Sequence, residues 1–398
     1  MEGRRRAFVV VLDAVGAGAL PDAAEYGDEG TNTLAHVAEA VGGLDLPALA
    51  RLGLGNVIPL AGVPPAQRPT AVHGRLHPLG AGKDTTAGHW ELMGVPAPRL
   101  PTYPDGFPPA IVDAFAAATG RGVLCNASSE GLAAIHDFGA QHLLSGDLIV
   151  YTSQDSVFQV AAHVDVVAEP ELYAYCEAAR GLLTGADAVG RVIARPFRGE
   201  PGAFERTPGR RDFALEPPSR SYLDELAADG VAVHAVGKVA QIFAGRGVAE
   251  AHPGPDNPTA ITAIDRLVGE LDEGLVFANL VDTDQVYGHR KDVEGFARAL
   301  REIDGATARW LAAMRPGDLL VLCADHGCDP AHPGTDHTRE HSPLLAAFEG
   351  ADGRRLDAPM ASVGATALRW LAGRDADLPG EPFATAVLTS NQCPSSQR

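Results

Sequence analysis

Hydrophobic and polar positions along the chain fall into two alternating patterns. Short apolar runs rich in β-branched residues, with no polar position to mark a solvent face, occur at Phe8 to Leu12, Leu148 to Thr152, Val231 to Val236, Leu275 to Val281 and Leu319 to Ala324. Such runs predict parallel strands buried on both faces. Between them apolar residues recur at helical spacing, in Thr33 to Ala40, Ile111 to Ala118, Glu169 to Leu183, Tyr222 to Ala228 and Val293 to Met314. Strands and helices in alternation predict an α/β protein with a doubly wound, mostly parallel sheet. From about Pro98 to Pro218 the chain changes character, because Pro-rich segments (96–109 and 201–218) bound a stretch with strands and helices of its own. That stretch reads as an inserted smaller α/β domain. The expected organisation is a core in two parts, 1–97 and 219–388, an insert over 98–218 and a disordered polar tail over 389–398.

Length and charge narrow the partners. A chain of 398 residues exceeds what one apolar core ordinarily serves, which agrees with two domains. The formal net charge of −19 argues against nucleic acid and anionic membranes, since polyanions attract basic faces. A phosphorylated substrate would need a local cationic pocket. Five cysteines (Cys125, Cys176, Cys323, Cys328, Cys393), scattered and without CxxC spacing, fit a reduced cytoplasmic protein and indicate no thiol chemistry. Arg4, Arg5 and Arg6 ahead of Ala7 to Leu12 resemble the start of a secretory signal, but Asp13 interrupts the apolar run, so the segment reads as a buried first strand. No stretch approaches the ~18 uncharged apolar residues of a membrane helix.

In open parallel sheets ligands bind beyond the carboxyl ends of the strands. Three such ends carry metal-ligand residue types: Asp13 after FVVVL, Asp284 with His289 after FANLVDT, and Asp325 with His326 after LLVLCA, the last followed by His337. A lone Asp after a strand is ordinarily a helix N-cap; three ends furnished alike make a site. Three carboxylates and three imidazoles suffice for two divalent cations, and a mixed oxygen and nitrogen set suits Mn²⁺ or Zn²⁺ rather than Ca²⁺. A pair of cations roughly 3.5–4 Å apart stabilises both the attacking and the leaving oxygen of an in-line phosphoryl displacement.

The glycine-rich segment GAGKDTTAGHWE (80–91) supplies a nucleophile, by presenting Thr85 or Thr86 at a helix N-terminus where backbone N–H groups favour anions. Two competing motifs fail. A Walker A loop needs glycine at position 77, which is His77, and Ser or Thr at position 84, which is Asp84. The H-x-x-E-H spacing of His337, Glu340 and His341 works only on a helix, and Pro333, Gly334 and Pro343 leave too short and broken a segment for one.

Taken together, VLDAVGAG, GKDTTAGHWELMG, YTSQDSVFQ, GRVIARPFRGEPGAFERTP, NLVDTDQVYGHR and ADHGCDPAHPGTDHTREHSPLL resemble the phosphopentomutases of the alkaline phosphatase superfamily over nearly the whole chain. The resemblance implies an alkaline phosphatase-like core with an inserted cap. It implies one Mn²⁺ held by Asp13, Asp325 and His326 and a second held by Asp284, His289 and His337, with Zn²⁺ or another divalent metal as alternatives. Thr85 is the implied phosphorylated residue, chosen over Thr86 because the family's threonine directly follows Lys-Asp; the positions after it, Thr86-Ala87, depart from the family's Met-Thr. Cys328 stands where Asn is common. Six arginines crowd into 191–211, and Arg191 and Arg195 flank an apolar strand pattern in which charge needs a partner. Arg191, Arg195 and Arg206 are therefore expected as phosphate contacts, while Arg198 and Arg210 read as surface charge. Ser153, Asp155 and Lys238 join the substrate contacts by similarity. The implied reaction exchanges ribose or 2-deoxyribose 1-phosphate with the 5-phosphate through a phosphothreonine and a pentose 1,5-bisphosphate, primed by a sugar bisphosphate, in nucleoside catabolism in the cytoplasm. No nucleic acid, membrane or obligate protein partner is implied. Alternatives are a cofactor-independent phosphoglycerate mutase-like enzyme, a metal-dependent phosphomonoesterase, or a catalytically silent metal-binding protein.

Overall fold

A computed structural model describes residues 5–153, 156–334 and 336–385. The expected tail 389–398 and Asp155 lie outside the described residues. Two compact units emerge: one from the chain up to Pro98, Pro217–Ala240 and Gly245 onward, the other from Arg99–Glu216 with Gln241–Ala244. The last segment corrects the sequence reading, which placed it in the core. It is an apolar piece, with Ile242 and Phe243 buried.

The larger unit is built on an eight-stranded sheet. Arg6–Leu12 is fully buried and pairs in parallel with Gly274–Leu280 on one side and Asp318–Cys323 on the other. In this register Val9 faces both Phe277 and Val321. Val233–Val236 and Glu250–His252 extend the parallel half to its edge. Beyond Asp318–Cys323 the sheet changes sense. Ser342–Phe348 runs antiparallel to that strand and to Val72–His77. Neither antiparallel strand was legible, because Pro343 opens one and Gly74 interrupts the other. Helices cover the sheet as a buried parallel sheet requires. Phe8, Val10 and Leu12 share a core with apolar residues of helices Thr33–Ala40, Asn257–Glu270 and Val293–Ala313, while helix Ser362–Ala372 also packs on Arg6–Leu12. Helix starts follow capping chemistry, with Asn32, Asp256 and Asp292 each accepting a backbone N–H of the first turn and Ser221 forming a capping box with Asp224.

Arg6, the third of the N-terminal arginines, is buried. Its Nε donates to Asp318 Oδ1 at 2.9 Å and its Nη1 to the carbonyls of Val268 and Leu271 at 2.6 and 3.2 Å. The arginine thus ties the start of the first strand to its neighbour and to the end of helix Asn257–Glu270, a structural role with no counterpart in a secretory signal.

The second unit carries a mixed sheet in the order Val123–Ser128, Leu148–Thr152, Val157–His163, Arg191–Arg198, Glu205–Arg206, with Arg211–Ala214 also pairing Arg191–Arg198. Helices Pro109–Thr119 and Glu169–Leu182 contribute Phe115, Leu172, Cys176 and Ala179 to a core that includes Leu148, Val150, Phe158 and Val160. Helix Gly131–Ser145 contributes Ala134 and Ile135 to a separate cluster with Ile149, Tyr151 and Ala161, residues that alternate along their strands with the first set. Both faces of this sheet are therefore buried at its centre, which explains why Leu148–Thr152 reads as a continuous apolar run.

Candidate active site

Three strand ends and one helix start meet in the larger unit. Asp13 follows Arg6–Leu12 and is fully buried. The chain turns at once: Ala14 holds φ 63°, a left-handed conformation that costs a non-glycine residue energy and concentrates at functional sites. Cross-links stabilise the turn, since Ala14 N–H donates to Asp325 Oδ1 at 3.1 Å and Thr283 Oγ1 donates to the Asp13 carbonyl at 2.6 Å. None of the three aspartates serves as a helix N-cap.

Asp284 lies on a π-helical turn, Thr283–Gly288, and His289 caps its end, its N–H reaching the Asp284 carbonyl at 3.3 Å. The wide turn matters. Residues five apart in an α-helix point about 140° away from each other, whereas here Asp284 Oδ1 and His289 Nε2 come within 3.4 Å. Single π turns recur at functional sites for this reason. His337 Nε2 completes the group, 3.3 Å from Asp284 Oδ1 and 3.1 Å from His289 Nε2. On the other side, His326 Nε2 stands 3.4 Å from Asp13 Oδ1 and 3.4 Å from Asp325 Oδ2. All six ligand candidates are thus brought together. Ligand atoms of Asp13, Asp325 and His326 lie within 4.8 Å of one another, as do those of Asp284, His326 and His337, so His326 joins the two halves. Cys328 lies in a third such group with Asp284 and His289, and burial pushes its thiol pKa far up, keeping it protonated.

Electrostatics shows what this pocket asks for. Asp13 Oδ1, Asp284 Oδ1 and Asp325 Oδ2 are buried and accept no hydrogen bond. Burial, then the charges of Asp325 and Asp284, raise the Asp13 pKa. Burial opposes ionisation of Asp284 too, yet the imidazoles of His337, His326 and His289 outweigh it and bring its pKa down. His326 responds in kind: against the penalty of burial, Asp325, Asp13 and Asp284 push it up to about 10. Three carboxylates sharing a buried space require positive charge among them. Hard carboxylate oxygens with unmet lone pairs, interleaved with imidazole nitrogens, fit a pair of divalent cations.

Thr85 sits at the first position of helix Thr85–Leu92, whose N-cap Asp84 accepts the Ala87 N–H. Its Oγ1 is 3.1 Å from His326 Nε2, so the hydroxyl borders the ligand cluster. Two residues to which the sequence assigned no role hold it there. His89, one turn on, is fully buried; its Nδ1 lies 2.8 Å from the Thr85 carbonyl and 3.2 Å from Asp325 Oδ2, between the Thr85 peptide and the Asp325 carboxylate. The signal was the spacing of four between Thr85 and His89 within the GHWE motif. Gly88 lets the helix approach, because a Cβ there would sit 2.3 Å from the Asp325 carbonyl oxygen. Gly88→Ala should therefore push the helix off the Asp325 turn, lowering kcat by on the order of 10²-fold and destabilising the fold by about 1–3 kcal/mol; kinetics and denaturant unfolding of the full chain check both.

Lys238 also lies in the larger unit, after Val233–Val236; burial raises the pKa of both Asp13 and Asp282, and the Lys238 charge is near enough to act against that rise. The segment 337–341 is not helical; Glu340 accepts from Thr33, Thr338 and Gly18 instead.

Ser153, Arg191, Arg195 and Arg206 belong to the second unit. Arg195 is half-buried and donates through Nε and Nη2 to Gln159 Oε1 at 3.2 and 3.0 Å. Arg191 pairs with Asp212 at 3.7 Å, and Arg206 has no carboxylate partner among the described residues. Arg198 and Arg210 are tied to Glu205 and Asp212. The sequence missed Tyr151. Its hydroxyl is buried without a hydrogen bond, and against the effect of burial the charges of Arg195, Arg206 and Arg210 act to lower its pKa. Arg206 and Tyr151 also crowd Gly131, the first residue of helix Gly131–Ser145, so a helix N-terminus, guanidinium groups and a phenol converge. Such a convergence favours a phosphate.

The sequence profile of the metalloenzyme superfamily matches residues 5–376. A phosphopentomutase of Anaeromyxobacter dehalogenans is 49% identical over 375 residues, 93% of this chain and 96% of its own. A phosphopentomutase of Caldanaerobacter subterraneus is 49% identical over 342 residues, 86% of this chain and 87% of its own. Among solved structures, a Leishmania mexicana phosphoglycerate mutase crystallised at low cobalt concentration aligns over 96% of this chain and 98% of its own, at 14% identity and a TM-score of 0.47.

Proposed function

Because the chain belongs to the phosphopentomutase family of the metalloenzyme superfamily and is an isomerase that moves phosphate within its substrate, we propose that it interconverts the 1- and 5-phosphates of ribose or 2-deoxyribose through a phosphorylated Thr85. The observation that carries this reading is the position of Thr85 Oγ1, at a helix N-terminus and 3.1 Å from His326 Nε2 on the rim of the carboxylate and imidazole cluster.

In this reading Asp13, Asp325 and His326 hold one divalent cation and Asp284, His289 and His337 the other. Bound there, Mn²⁺ or Zn²⁺ would stabilise an alkoxide and offset the charge of a transferring phosphoryl group. The residues of the chain then do the following. Phosphothreonine 85 presents its phosphorus to the free hydroxyl of a pentose monophosphate; a bond forms from that oxygen to phosphorus, the bond from phosphorus to Thr85 Oγ1 breaks, and the hydroxyl proton ends on Thr85. The product, a pentose 1,5-bisphosphate, turns over, and its other phosphate returns to Thr85 with bonds exchanged in the reverse sense. Free N–H groups at the start of helix Thr85–Leu92 orient the phosphoryl oxygens, and His89 holds the Thr85 peptide against Asp325 throughout. Lys238 and, in the inserted unit, Ser153, Arg191, Arg195 and Arg206 are assigned to the sugar and its phosphate, with Tyr151 added to that set. A sugar bisphosphate would prime the threonine. A cytoplasmic setting belongs to the same proposal and draws support from the described cysteines, Cys125, Cys176, Cys323 and Cys328, all free thiols. No helix among the described residues is long and apolar enough to cross a membrane.

Offering ribose 1-phosphate, 3-phosphoglycerate and p-nitrophenyl phosphate to one preparation tests the reading. Ribose 5-phosphate should form without stoichiometric inorganic phosphate, and 3-phosphoglycerate should be untouched. Consumption of p-nitrophenyl phosphate alone would overturn it.

A further inference from the structure

A second constellation of ligand residues lies at the parallel edge of the large sheet, and none of its members belongs to the active site. Strand Glu250–His252 is the outermost of the parallel strands and pairs with Val233–Val236 so that Glu250 stands opposite His234 and His252 opposite Val236. Glu250 and His252, two apart on one strand, face the same side of the sheet as His234. Their side chains converge. His234 Nδ1 is 3.1 Å from His252 Nε2 and 3.5 Å from Glu250 Oε2, and the two imidazole rings stack at 5.4 Å with 18° between their planes. One ligand atom from each of the three residues falls within 4.8 Å of the other two.

From this we infer that His234, Glu250 and His252 form a separate zinc site that clamps the edge strand to its neighbour. The chemistry is that of an open zinc site, two imidazoles and one carboxylate with a fourth position for water. Tetrahedral ligands about 2.0–2.1 Å from zinc lie roughly 3.3 Å from one another, which the separations of 3.1 and 3.5 Å already approach. The surroundings suit capture from solvent: the imidazole of His252 is buried and that of His234 nearly so, while Glu250 is exposed and free to swing onto an ion. A pair of imidazoles selects zinc over manganese, which binds such donors far more weakly.

One neighbour opposes the ion. Arg266 Nη2 donates to His252 Nδ1 at 3.1 Å. That bond makes Nδ1 the acceptor and places the His252 proton on Nε2, where it is donated to His234 Nδ1. Zinc uptake at Nε2 therefore moves the ring proton to Nδ1, with no net proton released, and turns the guanidinium away from that nitrogen; Glu270, one helical turn on at 3.5 Å, is placed to receive the guanidinium. Arg266 is thus a positively charged gate on the site.

The test compares zinc bound per chain for the full-length protein, equilibrated with Mn²⁺ and dialysed against a zinc buffer, with that for His234→Ala/His252→Ala. The double variant should hold one zinc fewer while its turnover in Mn²⁺ is unchanged; equal zinc in both would overturn the inference. The comparison reads a difference of one ion, so it stands whatever the active site holds. Should the double variant misfold, two surface changes decide. Glu250→Gln should weaken one class of zinc at least ~10-fold, and Arg266→Gln should tighten the same class. If neither shifts the zinc titration, the site does not exist.

Discussion

Replacing Thr85 by Ala should abolish phosphate exchange between ribose 1-phosphate and ribose 5-phosphate, by on the order of 10⁴-fold or more. The same variant should retain the metal content and fold of the parent, because Thr85 contributes one hydroxyl at the rim of the ligand cluster and its helix is capped by Asp84. Thr86→Ala provides the contrast. Both threonines lie in the first turn of the helix, but the His326 Nε2 contact is to Thr85 Oγ1. Activity in Thr86→Ala should therefore remain near that of the parent. If turnover survives in Thr85→Ala and is lost in Thr86→Ala, the nucleophile has been assigned to the wrong neighbour.

The second large effect concerns Asp284. Its Oδ1 lies 3.3 Å from His337 Nε2 and 3.4 Å from His289 Nε2, and it accepts no hydrogen bond. Asp284→Asn should lower kcat by on the order of 10³-fold and reduce bound manganese, while leaving one cation on Asp13, Asp325 and His326. Chelation of the parent should abolish activity and re-supply of Mn²⁺ restore it; chelated Asp284→Asn should not recover. The substitution relieves one of the charges that raise the Asp13 pKa but removes the carboxylate that the imidazoles of His337, His326 and His289 favour, so the metal-free variant should be no more stable than the metal-free parent. A variant that keeps its full complement of manganese and its activity would exclude Asp284 as a ligand.

What was legible in the sequence follows from what burial does to it. Strands covered on both faces must be apolar throughout, so Arg6–Leu12, Gly274–Leu280 and Asp318–Cys323 announced themselves, and the polar residues at their ends stood out as Asp13, Asp284 and Asp325. Edge and antiparallel strands carry weaker patterns, which is why Val72–His77, with His73, Gly74 and Arg75 inside it, did not read as a strand. Local backbone devices were also hidden. Nothing in DTDQVYGH specifies a π turn over an α turn, although the spacing of five between Asp284 and His289 makes sense only on the former. His89 and Tyr151 escaped for a different reason, since each acts through neighbours distant in sequence: Asp325 for the one, Arg195 and Arg206 for the other. Asn279 belongs with them, because its Nδ2 donates to Asp13 Oδ2 at 3.1 Å from inside a strand that reads as merely apolar.

Mass spectrometry of the chain after incubation with Mn²⁺ and a pentose or hexose bisphosphate tests the convergence of Thr85 with the ligand cluster most directly. A single phosphate should be found on Thr85 and should be absent from Thr86, and when the bisphosphate carries an isotopic label, that label should be exchanged out of Thr85 by unlabelled ribose 5-phosphate added in excess. A chain that turns over substrate with Thr85 never phosphorylated would contradict the account.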